Sequence, residues 1–227
     1  MNRTVKSYGL LTLLIILVSI GVALMVKTDT GLGPWDAMAL TFSFLTGIKI
    51  GTIGMICNFL CIFGQIALLG KNFKKINFLQ IPISILLGST VNFFLYTVFK
   101  NLTFESYLSR IGVAIISIVF ITFLVEAIVC LGLPTFSLEG FCSAVHQKTG
   151  IPFAKFRQWV DFFCVGLIII LTLIFPIKWS LREGTIICML IFGPLLGIFM
   201  PIIERMYEKL GLTEGKSEME KEFEGLE

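Results

Sequence analysis

Charge is what this sequence lacks. Asp, Glu, Lys and Arg together make up 15% of its 227 residues, against about 25% in a soluble domain. That excludes an ordinary water-soluble domain, and the basic residues are too scattered to form a nucleic-acid surface. Histidine occurs once, at His146, which excludes a multi-histidine metal centre. The six cysteines stand at 57, 61, 130, 142, 164 and 188, mostly inside apolar stretches. Cys57 and Cys61 share a helix face, but no histidine or second cysteine pair accompanies them to complete a metal site, so they read as small core hydrophobes. A phosphate-cradling glycine loop and a Ser/His/Asp arrangement are both missing. No catalytic residue, cofactor or metal is expected, and the chain does not read as an enzyme.

Apolar length is what the sequence has. Hydrophobic residues make up 56% of it, including 22 Phe, and the mean hydropathy is +0.92. Six runs are long enough to cross a bilayer as helices, which takes about 20 residues: Ser7–Val26, Gly51–Leu69, Phe78–Phe99, Ile111–Leu131, Trp159–Phe175 and Gly184–Ile203. They do not alternate with period two, so a transmembrane barrel is excluded, and a helix satisfies its own backbone in lipid. The first run is longer than a signal-peptide core and is followed by Lys27-Thr28-Asp29, not by small residues, so it reads as a retained helix. With the N-terminus inside, twelve Lys and Arg fall in inner segments and six in outer ones. By the positive-inside bias this predicts a multi-pass protein of a bacterial cell membrane with both termini cytoplasmic. Residues 1–205 form the membrane domain, and the charged tail 206–227 reads as disordered.

The chain also repeats itself. Thr-Gly-Ile occurs at 46–48 and at 149–151, 103 residues apart. At that offset Asp36 falls on Glu139, Asn58 on Asp161 and Cys61 on Cys164. Each half (7–100 and 108–204) reads as a span, a Gly/Pro break, a short apolar helix beginning with an acid, and two further spans. Three spans is an odd number, so the second half enters the membrane from the opposite side. The expected fold is all-α: six transmembrane helices in two inverted three-helix repeats, each with a short re-entrant or interfacial half-helix. Paired interrupted segments of this kind point to a transporter's binding site near the bilayer midplane.

The candidate site follows from where polar groups fall. Pro34 suits a first helical turn, and Asp36 suits the same turn, where free N–H groups and the positive dipole end meet it. Asp36 to Leu45 makes only about 15 Å of helix, half a bilayer. Glu139 is its partner, and His146, later on that second element, is a candidate pH-sensitive group. Trp35 reads either as an interfacial anchor or as part of the site. Asn58 and Asp161 lie inside spans, where polar groups are costly and mark function. Arg157 stands one turn before Asp161, so an i, i+4 ion pair is available. Glu126 is a candidate for proton coupling. Gln65 and Asn92 read as hydrogen-bonding links between helices, and the spacings Gly47-x3-Gly51 and Gly193-x3-Gly197 as places of close helix approach.

At "GLGPWDAMAL" followed by "TGIKIGTIGMICNFL", and again at "GTIICMLIFGPLLGIF" (184–199), the sequence resembles the YczE-like branch of the YczE/YyaS/YitT family of bacterial integral membrane proteins. The resemblance covers about residues 5 to 205 and implies a role in moving a small metabolite, such as a vitamin or cofactor precursor. The leading expectation is thus a secondary transporter with a site lined by Trp35, Asp36, Asn58, Glu139, His146 and Asp161. Its partners would be the lipid bilayer and an unidentified small molecule, and a chain of this size could work as a homodimer. The alternatives are the substrate-binding membrane subunit of a vitamin importer that needs ATPase partners, and a membrane scaffold or regulator without a substrate.

Overall fold

A computed structural model describes residues 3–134 and 136–210; the tail expectation for 211–227 lies outside the described residues. The described chain contains eight α-helices: α1 (Arg3–Thr28), α2 (Pro34–Thr46), α3 (Ile50–Leu69), α4 (Gln80–Phe93), α5 (Tyr107–Val129), α6 (Ser137–Thr149), α7 (Phe153–Ile174) and α8 (Glu183–Lys209). A π-helical turn, Phe94–Val98, prolongs α4. Six helices are long and apolar enough to cross a membrane, and α2 and α6, at 13 residues each, are not. The chain is a multi-pass membrane protein by this measure. The fifth span begins at Phe153, earlier than its apolar run, because Lys155, Arg157 and Gln158 look like loop residues yet continue the helix.

The 103-residue offset recurs in three helix starts and one helix end. Helix starts pair as Pro34 with Ser137, Ile50 with Phe153 and Gln80 with Glu183. The turns that end α2 and α6 match bond for bond. Gly47 and Gly150 both take the left-handed conformation, φ 73° and 75°, which glycine adopts without steric cost. Gly47 N–H donates to Ser43 O (2.9 Å) and Gly150 N–H to His146 O (2.7 Å). Thr46 Oγ1 donates to Phe42 O (2.7 Å) and Thr149 Oγ1 to Val145 O (2.8 Å).

Packing is centred on α1 against α5, the two spans with the most buried windows. One core cluster joins the second half of α1 to α2, the start of α3 and the end of α4, through Met25, Leu32, Ile50 and Leu95. The other joins the first half of α1 to the ends of α5 and α8, through Leu11, Ile128 and Tyr207. Tyr207 donates to Ala127 O at 2.9 Å. The short helices are embedded among the long ones: α2 packs on α3 and α7, and α6 on α3 and α7.

The halves differ in one contact. In the first, α3 packs along α4 at Gly51 and Gly88, where a Cβ on either would collide with the other's carbonyl oxygen. Asn92 fixes the crossing by accepting from Gly51 N–H (2.9 Å) and donating to Thr52 Oγ1 (3.0 Å). In the second half α8 packs on α5 and shares no comparable contact with α7. Gly193 and Gly197 accordingly have open space where a Cβ would point, and they line a cavity instead of a helix contact. Gly47, from the other spacing, is a cap.

Candidate functional site

The Gly/Pro breaks carry the chain inward before each short helix begins. Trp35, at the start of α2, packs against a small core made of Cys61 of α3 with Leu138 and Cys142 of α6, on which Phe153, Phe156 and Val160 of α7 also pack. The two helices therefore begin beside one another inside the bundle and run outward to opposite ends. The acids of the two first turns, Asp36 and Glu139, therefore stand on the cavity between the long helices. Helix N-termini carry unsatisfied N–H groups and a partial positive charge, and neither N-cap position supplies a side-chain hydrogen bond. An acid in each first turn, Asp36 and Glu139, offsets that charge.

Both acids line a cavity of about 1150 Å³, with Trp35, Asn58, Glu126, Arg157 and Asp161 also on its wall. Arg157 is the hub. Its Nη1 donates to Asp161 Oδ1 one turn along α7, forming the expected ion pair, and its Nε lies 3.6 Å from Glu139 Oε1. Asp36 sits in the field of both Arg157 and Glu139 and makes no hydrogen bond or ion pair among the described residues. Its side chain is exposed to the cavity that it lines. Burial pushes the Asp36 carboxyl up to about 6, Arg157 opposing and Glu139 adding to the rise. Asn58, its amide also unpaired among the described residues, shares the wall.

Seven of the eight candidate residues meet on this cavity. His146 does not line it. Its Nδ1–H donates to Ile151 O at 2.8 Å, the bond that Ser43 Oγ makes to Ile48 O (2.6 Å) in the first half. Glu126 is buried at the cavity wall, with Cys130 Sγ 3.7 Å from Oε1. Gln65 is buried and pairs with Gln80 (2.9 Å) and Ser137 O (3.0 Å), tying α3 and α4 to the start of α6.

Two features escape a reading of the sequence. The bridge from Arg157 to Glu139 joins residues on different helices with no spacing that signals it. The apolar wall of α8 (Met189, Phe192, Gly193, Leu196, Gly197 and Met200) repeats at helical spacing and could have been found as a stripe.

The cavity reaches the α3–α4 and α5–α6 loops, at Asn72, Lys74, Asn77 and Pro134. At the other end, Asp29 Oδ2 gathers Lys178 Nζ (2.7 Å), Arg182 Nη1 (2.9 Å) and Arg110 Nη1 (4.0 Å). Gly184 N–H donates to Thr30 O at 2.7 Å beside it. This cluster ties the α1–α2 turn to α5 and to the α7–α8 loop, and none of its four charged residues lines the cavity.

Among known proteins, the family described as "Family of unknown function (DUF6198)" matches residues 5–201. The uncharacterized protein YyaS of Bacillus subtilis (strain 168) is 25% identical over 202 residues, which is 85% of this chain and 92% of the relative. No solved structure matches.

Proposed function

The chain belongs to the DUF6198 family of unknown function, and on that footing we propose that it is a secondary transporter of a small metabolite. Its site would be the cavity between two inverted repeats, worked by alternating access as the halves rock. The observation that carries this reading is the meeting of two matched half-helices. Each begins at the cavity with an acid in its first turn, and one arginine stands among Asp36, Glu139 and Asp161. Binding and orienting are what such an arrangement can do, which suits a carrier.

Two further features support it. The cavity extends to the loops at one end while the Asp29 cluster ties segments together at the other, as an arrangement open on one side at a time requires. The basic bias of the sequence supports a reading in which the open end and both termini face the cytoplasm of a bacterial cell, and the exposed apolar faces of α7 and α8 leave surface for a homodimer.

The test is a thermal-shift screen of purified protein against metabolites of every charge class, wild type beside Asp36→Asn and Glu139→Gln. A ligand of the native state stabilises it by mass action. We expect at least one hit whose stabilisation falls in both variants. A set of hits that stabilise both variants as strongly as wild type would remove the cavity as the transport site.

A further inference from the structure

The cluster at the half-helix starts is not electrically balanced. Three carboxylates, Asp36, Glu139 and Asp161, stand with one guanidinium, Arg157. The two helix N-termini add about half a positive charge each. With these three acids ionised, the cluster is left about one positive charge short. The deficit is localised, because Glu139 and Asp161 are taken up by Arg157 while Asp36 is unpaired. An unpaired carboxylate deep in a protein costs free energy until a proton or a cation meets it.

The surroundings say which kind of cation. A bare metal ion wants several oxygen ligands converging on it, and here one free carboxylate and one tryptophan, Trp35, line the same cavity. An aromatic ring and a carboxylate lining one cavity suit an organic ammonium group. The α8 lining, Met189, Phe192 and Met200 with Gly193 and Gly197 leaving space between them, offers apolar contact to a carbon body. At about 1150 Å³ the cavity exceeds the usual range for drug-sized ligands, about 300–1000 Å³, so it has room for such a body.

We propose that this cavity binds one monovalent organic cation, an ammonium group on an apolar body, at Asp36, and that the cation and a proton exclude each other there. The proposal rests on the transport reading and names its substrate class and its coupling. Entry of the cation to protonated Asp36 releases one proton to solvent, so inward movement of one is linked to outward movement of the other. The groups facing Asp36 are Arg157, Asp161 and Cys164 of α7, Glu139 of α6, Cys57 of α3 and Cys188 of α8.

Phenethylammonium, 2-phenylethanol and phenylacetate are near-isosteric probes that are cationic, neutral and anionic. With protein in lipid nanodiscs at about pH 8, above the Asp36 pKa of about 6, phenethylammonium at a hundred-fold excess over its Kd should raise Tm by roughly 5 °C or more. The two isosteres should not. Below about pH 6 the amine's affinity should fall about tenfold for each pH unit, since binding needs the ionised carboxylate and the amine stays protonated throughout. Asp36→Asn should abolish amine binding. Because a misfolded variant would mimic that loss, the pH slope is read in the wild type. Preference for phenylacetate, amine binding with a flat pH profile, amine binding retained by Asp36→Asn, or no response to any of the three probes would each overturn the cation assignment. The transport reading would then stand or fall separately, on the metabolite screen.

Discussion

Arg157 bridges two carboxylates, Glu139 and Asp161. Its bond to Asp161 is available to any i, i+4 pair on a helix, but its reach to Glu139 makes it a joint between α6 and α7. Arg157→Gln should lower stability by about 1–3 kcal/mol. That is less than the ~3–5 kcal/mol of breaking a fully buried pair, because the Arg157 and Asp161 side chains keep 28% and 24% of their surface exposed. Thermal unfolding should also show Arg157→Lys losing part of that stability, since a point charge cannot span both acids, and Arg157→Gln/Asp161→Asn recovering part of it. His146 makes a different case. A proton-linked role suits its chemistry, yet its ring does the work of a serine in the other half of the chain. His146→Ser should therefore keep the turn and stay within about 0.5 kcal/mol of wild type. His146→Ala, which removes one hydrogen bond, should cost about 1 kcal/mol. A shift in the pH profile of ligand binding in His146→Ser would restore a functional role to the ring.

The glycines separate the helix pairs into closed and open ones. At the crossing of α3 and α4, Gly51 and Gly88 bring two backbones together with no space for a methyl group. Gly51→Ala should destabilise by about 1–3 kcal/mol, the usual cost of overpacking. On α8, Gly193 faces the cavity with nothing near it. Gly193→Ala should be tolerated, and Gly193→Leu should leave Tm near wild type while abolishing ligand stabilisation by filling the space. Loss of folding in Gly193→Leu would mean that α8 closes on α7 in the membrane. The sequence gives Gly47-x3-Gly51 and Gly193-x3-Gly197 one spacing; only the partner across the gap distinguishes a contact from a wall.

As a whole the molecule is two matched halves whose short helices start together and end apart. Their outer turns, at Lys49 and Lys148, should therefore lie on opposite faces of the membrane, with Lys148 on the side of the N-terminus. Single cysteines at the two positions, in a background without native cysteines, should react with an impermeant thiol reagent from opposite sides of oriented vesicles; labelling from one side would break the inverted repeat. Much of this was legible in the sequence. Six spans follow from the length of apolar runs, because a bilayer sets how much helix it takes to cross it. The half-helices follow from Gly33-Pro34 and Gly132-Leu133-Pro134, because a helix cannot run through them. The echo of Thr46-Gly47-Ile48 at Thr149-Gly150-Ile151 gives the register, because both turns need the same left-handed glycine. These are local or periodic properties, and local chemistry suffices to read them. The direction of the half-helices, the third partner of the Arg157 cluster, the isolation of Asp36 and the open seam between α7 and α8 were decided only in the folded chain. Each depends on what stands across a gap between helices distant in sequence, and the spacing of residues along one helix does not encode it.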